Sequence, residues 1–233
     1  MTTASFQRAR SPEAKRQRER AILDAARDLA SAQGVGAITL TAIAEAVDMH
    51  KSALLRYFET RDEIFLRLAA DAWEEWSAAA RAELGSLPLA GADTDARGAL
   101  IRRVAQVLTA TLLARPMFCD LLAQTPLNLE RNVSFTVILP FKTVALREVA
   151  AVQTALQRLL PLRAEQAMSV VTTATGMAGA LWQMTSMTSH LRERYEADPA
   201  LMHALVDARQ ELEHILGGLL AGFTGTPSAA MAP

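Results

Sequence analysis

Polar and basic side chains interrupt the apolar ones at helical spacing in residues 39–58, which read TLTAIAEAVDMHKSALLRYF. The apolar side chains form two successive faces, made by Leu40, Ile43, Ala44 and Val47 and then by Leu54, Leu55 and Phe58. Residues 48–50 predict a turn between them. The pattern therefore predicts a helix-turn-helix, whose second short helix can enter a DNA major groove. A plain pair of helices in a larger bundle has the same spacing and stays an alternative.

The outward side of this second helix would carry hydrogen-bonding and cationic groups. Lys51 can donate to guanine or phosphate, Ser52 can donate or accept, and Ala53 can touch a thymine methyl group. Thr41, in the first turn of its helix, can bind phosphate through its hydroxyl and nearby backbone N–H groups. The candidate contacts are Thr39, Thr41, His50, Lys51, Ser52, Ala53 and Arg56. Each could instead be a solvated surface side chain.

The charge of the chain is unevenly distributed. Its net charge is −1, yet residues 1–61 hold ten Lys and Arg against seven Asp and Glu. Six of these cations form a basic N-terminal arm, namely Arg8, Arg10, Lys15, Arg16, Arg18 and Arg20. A basic end on an acidic body indicates an anion-binding head, with nucleic acid as the favoured anion. A solvated basic tail is the alternative interpretation.

The composition indicates helices as the elements that position these groups. Aromatic residues make up only 5% of the chain, and Asn-Gly or Asp-Gly hairpin signals are absent. Helix-starting and helix-ending residues predict nine helices and no strands. The predicted helices cover about residues 12–33, 40–47, 51–58, 61–84, 94–114, 117–124, 132–160, 163–195 and 199–220. Pro126 is expected to end the sixth helix and Pro140 to kink the seventh.

Residues 12–66 as a set resemble the DNA-binding domain of the tetracycline-repressor (TetR) family of transcriptional regulators. The matching residues are Gly34, Thr39-Leu40-Thr41-Ala42-Ile43-Ala44, Leu54, Tyr57-Phe58 and Arg61-Asp62-Glu63-Ile64. The resemblance implies a dimer that binds double-stranded operator DNA through this quarter of the chain. It also implies that the helical remainder dimerises and binds an effector.

Three residues depart from the family pattern. Asp48 stands where the turn has a Gly, and Asp adopts the left-handed conformation more readily than most residues. Leu55 stands at the position of a phosphate-contacting tyrosine, so the resemblance leaves Tyr57, two positions on, as the candidate for that contact. Arg61 replaces a Lys at the start of the long helix and offers a forked guanidinium to phosphate.

The last two helices are the expected dimer interface, because short DNA-reading heads need a symmetric partner. Small residues that would allow close helix approach, together with an apolar stripe, make up the candidate set. It comprises Ala174, Gly176, Ala178, Gly179, Ala180, Leu205, Leu212 and Leu216. Tight packing within one chain is the alternative.

An effector pocket is expected among the middle helices, lined by apolar groups with a few polar ones. The candidate lining residues are Trp73, Trp76, Phe118, Asn132, Phe135, Phe141, Met177, Trp182 and Met184. A small apolar or aromatic molecule is the expected effector. Ordinary core packing is the competing role for each of these side chains.

Other classes of function have little support in the sequence. The chain has no P-loop, no G-x-S-x-G or H-E-x-x-H motif, and its four histidines lack metal-ligand spacing. We therefore expect no enzyme activity, cofactor or metal. The single cysteine, Cys119, lies in an apolar setting typical of an inert thiol, with a thiol sensor as the lesser alternative. The uncharged residues 166–191 contain too many Ser and Thr for a lipid-facing helix. A cytoplasmic location is expected.

The predicted organisation is a flexible basic arm at 1–11, a DNA-binding domain at 12–66, an effector-binding and dimerisation domain at 67–223 and a flexible tail at 224–233. The first hypothesis is a dimeric repressor that a small molecule releases from its operator. The alternatives are an effector-independent DNA-binding dimer, and a helical small-molecule-binding protein with a weakened head.

Overall fold

The computed structural model describes residues 12–89, 94–186, 193, 195, 197–198 and 206–225. Nine α-helices have both bounds within this part, and it contains no strand. They are α1 (Pro12–Gln33), α2 (Leu40–Ala46), α3 (Lys51–Leu54), α4 (Arg61–Ser86), α5 (Thr94–Leu113), α6 (Pro116–Leu127), α7 (Phe135–Leu159), α8 (Ala164–Thr185) and α9 (Ala208–Thr224). The predicted all-helical class with an N-terminal helix-turn-helix is confirmed.

The first three helices pack with the start of α4 into a small N-terminal unit, called the head below. Its core contains Ile22, Ala26, Ile43, Leu54 and Phe58, which are all buried. Helices as short as α2 and α3 are not stable alone in water, so burial of these side chains holds them in place, and Thr39 caps α2. The remaining helices, from the middle of α4 onward, are called the body.

Helix α4 belongs to both parts, because its 26 residues run from the head into the body. Thr60 caps it by accepting a hydrogen bond from the Glu63 N–H at 3.1 Å, as the T-x-x-E pattern predicts. Farther along, Trp73 and Trp76 meet Phe118 of α6, with ring centroids 5.4 to 5.9 Å apart. Trp76 Nε1 also donates to Thr111 Oγ1 at 3.2 Å. This aromatic cluster joins α4, α5 and α6.

Helices α6 and α8 cross at very short range. Ala174 and Ala178 of α8 are fully buried. A Cβ atom at Gly179 would lie 2.8 Å from the backbone nitrogen of Ala123 on α6. Only glycine therefore fits position 179 at this crossing, which lies within one chain.

Two predicted helix ends are wrong, one near a turn and one near a proline. Helix α3 ends at Leu54 instead of residue 58, because residues 55–57 form a turn. Helix α6 continues through Pro126, which has only Leu127 after it in the helix. A missing N–H this close to the helix end interrupts little of the hydrogen-bond ladder. Pro140 lies within the unbroken helix α7 with its ring exposed.

The two C-terminal helices are shorter than predicted. Helix α8 ends at Thr185, ten residues before the predicted end, and the Ser186 N–H donates to the Trp182 carbonyl there. Helix α9 begins at Ala208, because Asp207 caps it by accepting from the N–H groups of Arg209 and Gln210. The predicted start at residue 199 lies outside the described residues.

The uncharged segment at 166–191 lies, as far as residue 186, mostly on α8. That helix packs against α5, α6, α7 and α9. In the described part of the chain no single helix is long and apolar enough to cross a membrane; α5 and α6 meet the length and composition requirement only as a pair, with a bend of 87° between them.

We expect Gly179→Ala to unfold at lower urea concentration than Gly98→Ala. The added methyl at 179 meets the Ala123 backbone, and overpacking of this kind costs about 1–3 kcal/mol. Gly98 on α5 is the matched control, since its nearest neighbour would be the flexible Arg102 guanidinium at 3.7 Å. Equal midpoints for the two variants would contradict the close crossing of α6 and α8.

Candidate nucleic-acid interface and junction cleft

The turn between α2 and α3 has the geometry that a helix-turn-helix requires. Asp48 adopts a φ of 51°, the left-handed conformation that the family pattern assigns to glycine. The Met49 N–H then donates to the Ala44 carbonyl at 2.9 Å, and α3 begins after His50. The expectation that Asp48 can form this turn is confirmed. The turn directs α3 across α2 with Leu54 buried beneath it.

The outer face of α2 and α3 carries most of the predicted DNA contacts. The exposed members of that set are Thr39, Thr41, His50, Lys51, Ser52 and Arg56, while Ala53 and Tyr57 are half-buried. Thr39 Oγ1 accepts from the Ala42 N–H at 3.1 Å, which caps α2 and leaves the hydroxyl hydrogen free to donate. Leu55 is 44% exposed beside this face. The structure therefore collects one solvent-facing polar and cationic surface at α3.

Arg61 differs from the other predicted contacts, because its guanidinium is bound inside the protein. Its Nε donates to the Ile38 carbonyl at 2.5 Å, one terminal nitrogen donates to the Val35 carbonyl, and the other pairs with Asp62 at 2.7 Å. The same group lies 4.6 Å from the centre of the Phe65 ring. The nitrogens of the Arg61 fork are therefore already engaged within the protein, and its contact with phosphate stays a prediction. Arg61 ties the loop between α1 and α2 to the start of α4.

A second charged side chain holds the same loop from the body. Asp120 of α6 accepts the Val35 N–H through Oδ2 at 2.6 Å, and Gln183 of α8 donates to its other oxygen at 2.7 Å. The carboxylate is only 8% exposed. Asp120 thus joins the head to two body helices. Sequence reasoning missed this role, although a lone acid in the apolar run from Met117 to Leu121 was a visible signal.

A cleft of about 740 Å³ lies beside this joint, between the head and the body. It is called the junction cleft below. The C-terminal end of α1 and the loop after it form one wall, and α4, α6 and the end of α8 form the others. Two of the predicted effector residues, Phe118 and Trp182, line the cleft. Its volume suits a small molecule.

The other predicted effector residues do not meet in one pocket. Trp73 and Trp76 are buried in the aromatic cluster, and Phe141 lines a separate cavity of about 280 Å³ between α4 and α7. Phe135 and Met184 lie on the surface, 72% and 51% exposed, and Met177 is half-buried against the core. Asn132 donates instead to Asp62 at 3.1 Å, which joins the segment before α7 to the head. Residue type suggested these side chains for a pocket but could not place them together.

Some of the residues predicted for the dimer interface are buried and others are exposed. Five of them face the interior of their own chain, because helices α5, α6 and α8 cover them. They are Ala174, Ala178, Gly179, Leu212 and Leu216. Gly176 and Ala180 are exposed on α8, and a Cβ at Gly176 would meet no atom within 4 Å. Leu205 and the arm residues Arg8 and Arg10 lie outside the described residues.

Cys119 is buried beside the aromatic cluster, and its Sγ donates to the Leu112 carbonyl at 3.4 Å. Burial raises the pKa of its thiol to about 12, with a smaller contribution from neighbouring Asp120. The reactive thiolate is therefore suppressed at neutral pH.

Comparison with known proteins identifies the class of this fold. The sequence profile described as "Bacterial regulatory proteins, tetR family" matches residues 22–68. The profile described as "Tetracyclin repressor-like, C-terminal domain" matches residues 70–227. No curated protein sequence matches the chain.

Several solved structures are similar at low identity. A possible TetR family transcriptional regulator from Streptomyces coelicolor A3(2) aligns with a TM-score of 0.56 and 20% identity, over 90% of this chain and all of that one. The TetR family regulator PfmR from Thermus thermophilus aligns with a TM-score of 0.49 and 18% identity, over 85% and 96% of the two chains. Mycobacterium smegmatis AmtR aligns with a TM-score of 0.45 and 17% identity, over 98% and 100%. The first of these shows the shared fold.

The molecule is a helix-turn-helix protein with a helical C-terminal domain. Because the C-terminal profile alone spans more than half of it, the chain belongs to the TetR family of transcriptional regulators. Members of this family are DNA-binding regulators of transcription.

We expect Arg61→Ala to lower the free energy of unfolding by about 1–3 kcal/mol, because it leaves the Val35 and Ile38 carbonyls without their donor. Urea unfolding followed by circular dichroism measures the loss. Arg67→Ala on the same helix is the matched control, since Arg67 is exposed and makes only a 3.4 Å contact with Glu63 and a distant contact with the Phe58 ring, 6.0 Å from its centre. If the two variants lose the same stability, Arg61 does not hold the loop.

Proposed function

We propose that this protein is a transcriptional repressor that binds a near-palindromic operator as a dimer and is released from it by a small-molecule effector. The exposed outer face of α3, opposite the buried Leu54, is the observation that carries the proposal. We infer that the protein acts in the cytoplasm, where its DNA lies.

In this proposal α3 reads bases and the flanking residues bind the backbone. Lys51, Ser52, Ala53 and His50 face the major groove, because they lie at the exposed start of α3. Thr39, Thr41, Arg56 and Tyr57 contact phosphate, and Arg61 holds the loop that positions α2. Among the exposed cations of α1, Arg18 and Arg20 have no ion pair within the described residues and can follow the DNA backbone.

The dimer is proposed to form through the exposed sides of α8 and α9. On α8 this side contains Gly176 and Ala180, and on α9 it contains Gly218 and Gly222. A Cβ at any of the three glycines would meet nothing within 4 Å, so a partner helix has room to approach closely. The buried faces of the two helices remain occupied by their own chain.

The effector is proposed to bind in the junction cleft, because both head and body residues line it. A ligand that contacts both can favour one arrangement of the two parts over another. A helical small-molecule-binding protein with a weakened head is the second candidate. The exposed Leu55 favours it, since it stands where the family pattern has a phosphate-binding tyrosine.

We expect Lys51→Ala to weaken binding to a DNA fragment selected by the wild-type protein from random sequence. Loss of a base contact costs about 1–3 kcal/mol, while loss of a phosphate contact flattens the salt dependence by about one unit. Fluorescence anisotropy at several salt concentrations measures both. Lys142→Ala on α7 is the control, because it removes the same charge from the body. Full-strength binding by a Lys51→Ala, Arg56→Ala double variant would show that α3 does not read the operator.

We expect Ala180→Glu to convert dimers into folded monomers in sedimentation velocity. The new charge lies on a surface that is exposed in one chain, so the fold is retained while a close helix contact between chains is lost. Ala150→Glu on the exposed side of α7 is the matched control. A wild-type protein that stays monomeric at high concentration and still binds a symmetric site would refute the proposed interface.

A further inference from the structure

The charged groups in the junction cleft differ in whether they are already neutralised. Arg115 donates to Glu75 at 3.1 Å and to the Thr111 carbonyl at 2.8 Å. Arg27 pairs with Asp24 at 2.6 Å and lies 3.7 Å from Asp71. These two cations of the cleft are therefore engaged with protein oxygen atoms. An anionic ligand would have to displace these contacts.

Asp120 is the exception among the acids of the cleft, because both of its partners are neutral. It accepts from the Val35 N–H and from the Gln183 amide, and within the described residues no ion pair includes it. A buried carboxylate is stabilised far more by a cation than by neutral donors. The cleft thus contains an acid that is positioned and largely desolvated but forms no ion pair within the described residues.

Apolar side chains line the same cleft as this carboxylate. Met117 and Trp182 are half-buried there, and the nearly buried Phe118 and Leu68 add little exposed surface. Aromatic rings attract cations through their faces, and a thioether adapts to irregular ligand shapes. The cleft therefore combines the anionic carboxylate of Asp120 with apolar lining side chains.

We propose that the junction cleft binds an organic cation, a molecule that carries an ammonium or guanidinium group on an apolar or aromatic skeleton. The cationic group binds Asp120. The identification of the cleft as an effector site rests on the proposed function, whereas the binding itself does not.

Binding of this kind would act directly on the head. Oδ2 of Asp120 accepts the Val35 N–H, four residues before the Thr39 cap of α2. A ligand N–H that takes this oxygen competes with the loop for it. By linkage, a ligand that binds better when the loop is released lowers operator affinity, and the operator lowers ligand affinity by the same factor.

Three probes that share one apolar phenyl-alkyl group test the charge preference. They are 4-phenylbutylamine, 4-phenylbutanol and 4-phenylbutyrate, which are cationic, neutral and anionic at pH 7. Calorimetric titration of the full-length protein should show the amine binding about tenfold more tightly than the alcohol and the acid binding most weakly. The proposal is wrong if the alcohol or the acid binds as tightly as the amine, or if none of them binds.

Variants locate the site. Asp120→Asn keeps an oxygen that can accept the Val35 N–H but removes the charge, so the preference for the amine should disappear. Asp95→Asn, at the exposed start of α5, is the matched control and should leave it unchanged. If Asp120→Asn does not fold, Ala72→Phe serves instead, because it fills the cleft and should abolish binding of all three probes. Unchanged amine binding in Ala72→Phe places the site elsewhere and overturns the proposal.

Operator binding separates this inference from the proposed function. The amine should lower the affinity for the selected DNA fragment in the wild type and leave it unchanged in folded Asp120→Asn. Amine binding with no effect on operator affinity would refute the competition for Asp120. A protein that binds the amine through Asp120 but binds no DNA would refute the proposed repressor and leave the cation site intact.

Discussion

The loop between α1 and α2 has its backbone hydrogen bonds completed by charged side chains from outside the loop, and the placement of the head depends on this. Arg61 of α4 binds the carbonyls of Val35 and Ile38, while Asp120 of α6 binds the Val35 N–H. Buried backbone groups without partners are costly, so the loop cannot leave both side chains at once without exposure to water. Gly34, with a φ of 83°, lets the chain turn from α1 into this arrangement.

The hydrogen bonds made by Arg61 and by Asp120 affect different parts of the protein. Arg61 lies on a helix that is itself part of the head core, where Ile64 and Phe65 are fully buried. Its bonds therefore stiffen the head internally. Asp120 lies on α6, and its second partner, Gln183, lies on α8, so its bonds connect the head to the body. A displacement of α6 or α8 changes the position of the oxygen to which the loop donates, which makes this one contact through which the body can influence α2.

Local sequence patterns predicted the parts of the fold that local physics determines. Thr39 and Thr60 cap their helices as expected, and Asp48 forms the turn, because each effect acts within about one helical turn. The longer-range features had no such signal. Gly176 and Gly179 follow one small-residue pattern, yet one is exposed and the other touches Ala123 of α6. The crossing of α6 and α8 determines which of the two glycines is buried.

The same reasoning explains why the residues predicted to line an effector pocket do not meet in one cavity. Tryptophan and phenylalanine are equally suited to a pocket and to a core. Trp76 and Phe118 form a core contact that packs α4 against α6. The cleft opens where apolar packing stops and polar contacts take over, at Asp120, Gln183 and Arg115. Polar contacts can be exchanged for ligand contacts at small net cost, whereas apolar packing cannot be opened without creating a void. A head joined to its body through such contacts can therefore respond to a ligand while the aromatic core stays intact.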